Sequence, residues 1–259
     1  MNSISLAHGD MQPAGCRQCK DGRLLDFEFA FAYQPIVDLH RRVIYGHEAL
    51  VRGAGGEPAC SVLAQVTNEN RYTFDQNCRV NAIRGAAELG LQGYLSINFL
   101  PNAVYEPAAC IRNTLDAAKR YHFPIERIIF EVTEGEQVQD RAHLVKIFHE
   151  YRRLQFRTAI DDFGAGYAGL NLLADYQPDI IKIDMALVRD IDTSLPKQAI
   201  VQGIVAISKA LNVRVLAEGV ETSAERDFLC RTGITLMQGY WFCKPAFRTI
   251  GVIDPMAWN

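Results

Sequence analysis

The 259-residue chain has no run of 18 consecutive apolar residues, which excludes a membrane-spanning helix. Its first fifteen residues, MNSISLAHGDMQPAG, hold no apolar core of the kind a secretory leader needs, so a cytoplasmic protein is expected. Surplus charge is scarce: 27 Lys+Arg stand against 30 Asp+Glu, a formal net charge of −3. Binding a nucleic-acid polymer draws on an excess of cations, so that class is set aside. An anionic ligand then needs local help, from a metal or a few placed cations. The seven cysteines, at 16, 19, 60, 78, 110, 230 and 243, are odd in number and scattered. They read as reduced thiols, some filling core space, and not as a disulfide framework. The six histidines form no HExxH pattern. A composition of 49% hydrophobic and 22% charged residues excludes disorder, collagen-like repeats and a coiled coil.

What is present is alternation. Residues 1–26 are polar and aperiodic and read as a flexible extension; 27–250 read as one domain and 251–259 as a tail. Strand-like runs are predicted at 30–38, 43–50, 94–99, 127–133, 157–163, 179–184, 213–218 and 235–239. Helical patterns lie between them, at 75–89, 107–121, 140–154, 197–211 and 222–231. Within 197–211, Ile200, Ile204, Ile207 and Leu211 recur at helical spacing, and Thr222 with Glu225 makes a capping box. Such alternation implies a parallel sheet, and about eight strands over about 230 residues fits a (β/α)8 barrel. An open doubly wound sheet is the rival architecture.

Polar groups recur where the strands end: Glu48, Asn98, Glu131, Asp161 with Asp162, Lys182 with Asp184, Glu218 and Gln238. A barrel carries its active site at that end. In Ile181-Lys182-Ile183-Asp184, period 2 sends the isoleucines to the helix-covered face and Lys182 and Asp184 to the mouth. Asp161 and Asp162 would face opposite ways in a regular strand. Both reach one site only if the strand bends or ends there, and Phe163-Gly164-Ala165-Gly166 offers the flexible backbone. Glu48, Asn98, Glu131, Asp161 and Asp162 make an oxygen-rich set whose mutual repulsion a hard divalent ion, Mg2+ or Mn2+, relieves. One carboxylate bridging two ions suits in-line phosphoryl displacement. The plainer alternative is a set of separate buried ion pairs.

These residues resemble the EAL domain, the cyclic di-GMP phosphodiesterase family, over 27–247. The matching segments are Glu48-Ala49-Leu50-Val51-Arg52, Tyr33-Gln34-Pro35-Ile36-Val37-Asp38, Asn98, Glu131-Val132-Thr133-Glu134, Asp161-Asp162-Phe163-Gly164, Ile181-Lys182-Ile183-Asp184, Ala217-Glu218-Gly219-Val220-Glu221-Thr222 and Gln238-Gly239-Tyr240 with Lys244-Pro245. The resemblance implies a modified TIM barrel with one early antiparallel strand. It implies metal-dependent hydrolysis of one phosphodiester bond of cyclic di-GMP to linear 5′-pGpG, and a homodimer. By the same resemblance Glu48, Asn98, Glu131 and Asp161 hold one Mg2+ or Mn2+, and Asp161 and Asp162 a second, with Glu218 nearby. A water between the two ions is the nucleophile. Glu218 serves as general base or ligand, and Lys182 positions the water and offsets phosphorane charge. Gln238 anchors a water or Lys182, Arg52 meets a phosphate and Gln34 a guanine. Glu134 braces the loop after Asp162, and Glu221 supports Glu218. The chain departs from the family pattern at Gly53, often Trp, at Ala165, which lacks the hydroxyl that can bond a bracing Glu, and at Leu100-Pro101, where Ser commonly precedes Pro.

Other features have other readings. Gly164-Ala165-Gly166-Tyr167-Ala168-Gly169 is literally GxGxxG, but the preceding aspartates would repel a pyrophosphate. Cys16-x-x-Cys19, near His8, reads as non-structural thiols before half a zinc site or a redox pair. His47 should pack away from the site. Arg41-Arg42 and Arg152-Arg153 read as solvated turns, and Tyr240-Trp241-Phe242 as core, base-pocket wall or dimer contact. Two functional alternatives stand beside hydrolysis: an EAL module that binds cyclic di-GMP or a protein without catalysis, and a Mg2+-dependent barrel enzyme for another phosphate ester.

Overall fold

The computed structural model describes residues 25–133, 140–166 and 169–258. The Cys16/Cys19 pair and Glu134 lie outside them. The predicted strands all form: β1 Phe29–Asp38, β2 Val43–Gly53, β3 Tyr94–Asn98, β4 Ile128–Thr133, β5 Arg157–Phe163, β6 Ile180–Ile183, β7 Arg214–Ala217 and β8 Leu236–Met237. A ninth, β9 Ala246–Phe247, is added at the edge of β1. Strands β2 to β8 run parallel in chain order, and β1 closes the ring between β8 and β2, antiparallel to both. The molecule is therefore a closed eight-stranded barrel of the modified TIM type, and the doubly wound alternative falls away.

The helices are α1 Ala59–Leu63, α2 Arg71–Glu88, α3 Pro107–Cys110, α4 Arg112–Arg120, α5 Arg141–Arg153, α6 Gly169–Asp175, α7 Met185–Val188, α8 Leu195–Ala210 and α9 Ser223–Arg231. The stretch read as one helix over 107–121 is two, joined at Ile111. The capping box forms as read, with Thr222 accepting the Glu225 N–H. On α8 the expected stripe shifts. Val201, Ile204 and Ser208 face the barrel, while Ile200 and Ile207 are 50% and 41% exposed. The barrel covers only the stripe centred on Ile204, and the other isoleucines fall outside it.

Inside the barrel, side chains stack in layers. Ile36, Tyr45, Ile129, Ala159, Ile180, Leu216 and Leu236 form a dry plug at the N-terminal end. Tyr45 joins it because the β1–β2 register shifts between Ile36 and Val37 and skips it. Two residues further along β4, β5, β6 and β7, the inward positions are Glu131, Asp161, Lys182 and Glu218. Period 2 thus sets a charged layer directly on an apolar one. The segment 251–258 lies on the barrel, with Ile253 and Ala257 buried and the Trp258 carbonyl accepting from Arg42 at 3.1 Å.

Candidate active site

Lys182 stands at the centre of the mouth. Its side chain is 1% exposed, and its Nζ lies 2.7 Å from Glu218, 2.9 Å from Glu131, 3.0 Å from Asp161 and 3.4 Å from Glu48. Around them sit three amides. Asn98 Nδ2 donates to Glu48 Oε1 at 2.9 Å. Gln238 Nε2 donates to Glu48 Oε2 at 2.7 Å and to Gln34 Oε1 at 3.0 Å. Gln34 Nε2 in turn donates to the Cys243 carbonyl at 3.2 Å.

The two adjacent aspartates reach one site by a bend, as their spacing requires, but the bend lies earlier than expected. Asp162 itself takes the left-handed conformation, φ 52°, and the β5–β6 register shifts between Ile160 and Phe163. The Asp162 N–H then donates to Asp161 Oδ1 at 2.9 Å. Two glycines bring the loops of the rim together. Gly219, φ 65°, follows Glu218, and a Cβ there would lie 2.4 Å from Met185 Cβ. A Cβ on Gly239 would lie 2.1 Å from the Val220 carbonyl oxygen. A side chain at either would push Glu218 and Gln238 apart.

One ammonium cannot balance five carboxylates. Burial pushes the Glu131 carboxyl up to about 8, with Glu48 and Asp161 adding to the push against Lys182. Burial also holds Glu218 well above the usual carboxylate range. Asp162 is raised to about 6 by burial and then by Asp161 and Asp184. For Lys182, burial works against the charge, but Asp161, Glu131, Glu218 and Glu48 outweigh it and raise its pKa. Without further cations, then, the cluster holds protons. Divalent ions are the natural replacement, and the donors suit them. Oxygens of Glu48, Glu131 and Asp161 lie within 4.8 Å of one another, as do those of Asp161, Asp162 and Glu218. Asp161 belongs to both triplets. All donors are hard oxygens, as Mg2+ and Mn2+ prefer. Gln238 Oε1 is buried without a hydrogen-bond partner among the described residues, a spare acceptor beside the cluster.

A cleft of about 320 Å³ opens over these groups and is lined also by Gln34, Asp184 and Tyr240. Asp184 caps α7, accepting the Ala186 N–H at 2.8 Å. Tyr240-Trp241-Phe242 divides: Tyr240 walls the cleft and Phe242 is core. His47 is buried on β2. Two expected neighbours bond elsewhere. Glu221 lines the same cleft but pairs with Arg189 through both oxygens, and no hydrogen bond joins it to Glu218 among the described residues. Arg52 donates to the Val51 carbonyl at 2.7 Å and lines a separate, mostly apolar cavity of about 340 Å³ beside the cleft. Sequence reasoning passed over Ser96, whose buried hydroxyl donates to Glu131 Oε1. Its parity with Asn98 on β3 was the available signal.

The model of the EAL domain family matches residues 22–245. The chain belongs to the EAL family. A standalone EAL protein from Vibrio cholerae O395, solved with c-di-GMP bound, has 52% sequence identity and a TM-score of 0.88, covering 91% of this chain and 100% of that one. BluF of Escherichia coli strain K12, a blue light- and temperature-regulated antirepressor, is 34% identical over 230 residues, 88% of this chain and 56% of BluF. The same strain's PdeN, a probable cyclic di-GMP phosphodiesterase, is 29% identical over 231 residues, 84% of this chain and 43% of PdeN. The chain thus spans about half the length of these two curated relatives. Among the described residues no helix is long and apolar enough to cross a membrane.

Proposed function

We propose that this EAL domain hydrolyses cyclic di-GMP to linear 5′-pGpG with two Mg2+ or Mn2+ ions. The observation that carries the reading is the pair of oxygen triplets sharing Asp161, with Lys182 between them. Glu48, Asn98, Glu131 and Asp161 would hold one ion, and Asp161 and Asp162 the other, with Glu218 beside it. When bound, the ions supply a nucleophilic water at neutral pH and neutralise phosphodiester charge. The chain's own groups do the rest. Water oxygen joins phosphorus as its proton passes to Glu218, ionised once the metal ions are bound, the P–O3′ bond opens, and the departing O3′ takes up a proton from solvent to become the 3′-hydroxyl. Lys182 offers a fixed cation to the charge that builds on the phosphoryl oxygens. Gln238 holds Glu48 and is itself held by Gln34, and Gln34 and Tyr240 wall the space a guanine needs. Arg52 meets the second phosphate after leaving the Val51 carbonyl. The reading has the chain act in the cytoplasm, as a homodimer, on a nucleotide and not on a nucleic-acid polymer; the near balance of charge supports the last point.

A second reading has support in the name of BluF: an EAL module that acts through contact with another protein. Ligand completeness favours hydrolysis, because a domain relieved of catalysis has no need to keep five buried or half-buried carboxylates around a lysine. Purified protein incubated with cyclic di-GMP and Mn2+, with products separated by chromatography, should yield pGpG. No product with either Mn2+ or Mg2+, from protein that binds the dinucleotide, would leave the second reading standing.

A further inference from the structure

Behind the carboxylates, on the outer face of β3 and β4, an ion pair is buried among aromatic rings, with Gln76 Nε2 also donating to Asp75 Oδ2 at 3.3 Å. Asp75 and Arg79 sit one turn apart on α2, their side chains 1% and 0% exposed, with Arg79 Nη2 2.8 Å from Asp75 Oδ2. Arg79 Nη1 donates to the Tyr151 hydroxyl of α5 at 2.7 Å. The guanidinium lies 5.0 Å from the Phe130 ring centroid and 5.4 Å from that of Phe99. Asp75 Oδ1 accepts the Leu100 N–H at 2.9 Å, and the Phe99 N–H donates to the Glu131 carbonyl at 3.0 Å.

Strand parity makes this placement consequential. Phe99 and Phe130 point outward, and each is bonded in sequence to a residue of the inner site, Asn98 and Glu131. Whatever fixes the two rings fixes the backbone that aims the two oxygens. Packing alone leaves one side of the turn open, because Asn98, Phe99 and Leu100 line the 340 Å³ cavity. Stability is a weak reason for the pair: apolar residues of similar volume commonly replace a buried ion pair without loss. What the pair does supply is direction, a carboxylate oxygen aimed at one N–H and a planar cation spread over two rings.

We infer that Asp75 and Arg79 are positioning residues, which hold the Asn98–Leu100 turn and the Phe130–Glu131 step in the arrangement divalent-ion binding requires. The inference rests on the metal-site reading above. Its test compares the wild-type chain with Asp75→Asn/Arg79→Met and Asp75→Leu/Arg79→Met. Each variant removes both charges together, so no ion is left uncompensated. Asn keeps an acceptor for Leu100, and Leu does not. The readouts are metal-free Tm and Mn2+ titration by calorimetry. Metal-free Tm should stay within about 5 °C of wild type in the Asn/Met protein, since a buried pair replaced whole is near neutral, and fall by no more than about 10 °C in the Leu/Met protein, where the Leu100 N–H loses its acceptor. The Mn2+ Kd should rise roughly tenfold in the Leu/Met protein and clearly less in the Asn/Met protein, the scale on which groups behind metal ligands act. Equal Kd in all three overturns the inference, as does a Kd that worsens only in step with a collapsing Tm. Should the Leu/Met protein not fold, Tyr151→Phe decides: a Kd raised about twofold or more supports the inference, and an unchanged Kd overturns it. A wild-type chain that takes up no Mn2+ would bring down the metal-site reading together with this inference, whereas equal affinities bring down the inference alone.

Discussion

Lys182 is the residue on which the site's charge depends. It has four carboxylate neighbours within 3.4 Å and no water-facing surface to relieve them. A fixed cation in so dry a place stabilises developing charge far better than one in solvent. Lys182→Met, which keeps the stem and removes the charge, should therefore lower turnover of cyclic di-GMP by about 10²–10³-fold. The Mn2+-loaded protein should still fold, because the ions take over the neutralisation of Glu48, Glu131 and Asp161. Turnover above a tenth of wild type would take Lys182 out of the reaction. At this scale, much of the site was legible in the sequence, because strand ends repeat one chemistry: Glu48, Glu131, Asp161, Lys182 and Glu218 all meet. Partners set by loops were not legible. No spacing discloses that Glu221 turns to Arg189 or that Arg52 rests on the Val51 carbonyl. Ser96 was hidden because a serine within a strand carries no charge to draw notice.

The element that most shapes the site is the end of β5. Its ladder slips between Ile160 and Phe163, and the slip places Asp162 in a left-handed conformation. For a residue with a Cβ this conformation is disfavoured by roughly 1–2 kcal/mol, less for Asp than for most. Burial and the charges of Asp161 and Asp184 work against the carboxylate as well. Asp162→Gly removes both burdens, offset in part by the entropy of glycine. The metal-free Tm should rise, by about 2–4 °C for each kcal/mol gained. Mn2+-dependent hydrolysis should fall at least about 100-fold with the loss of a ligand and a charge. A lower metal-free Tm by calorimetry would show that the turn carries no strain. The eight barrel strands were readable from their alternation with helices, and α2, α5, α8 and α9 from their length and period. The shortest helices and the edge strand β9 were not. α1 and α7, of 5 and 4 residues, are too brief to show a 3.6-residue repeat, and the two-residue β9 exists only because the edge of β1 accepts it. The aspartate pair announced a bend, and Gly164, φ 99°, turns the chain as expected, but the start of the bend at Asp162 depends on pairing with β6.

Over the whole molecule, the charged layer on the apolar plug makes stability depend on pH and metal together. Carboxyls held above their usual range bind protons in the folded state that the unfolded chain has released. Stability of the metal-free protein therefore falls as pH rises from the unfolded value toward the folded one. For Glu131 that window runs from 4.5 to about 8. His47 acts in the opposite sense lower down. Burial lowers its pKa from 6.5 to about 4, so its contribution is complete above 6.5 and is lost as pH falls below it. Between pH 6.5 and 8 the carboxyls act without that opposition, and the metal-free Tm should decline across this interval. Metal ions bind the ionised carboxylates and displace those protons, so affinity for Mn2+ should climb over the same interval. At a concentration 100-fold above Kd, Mn2+ should add about 2.7 kcal/mol, roughly 5–10 °C in Tm for a domain of this size. The gap between Mn2+-loaded and EDTA-treated protein should hence be wider at pH 8 than at pH 6.5. Ca2+, with longer bonds and looser coordination, should open a smaller gap at either pH. Scanning calorimetry at the two pH values, with EDTA, Mn2+ and Ca2+ in turn, measures all of these. A gap of constant width, or a metal-free Tm that rises over the interval, would mean that the carboxylates at the mouth do not exchange protons for metal.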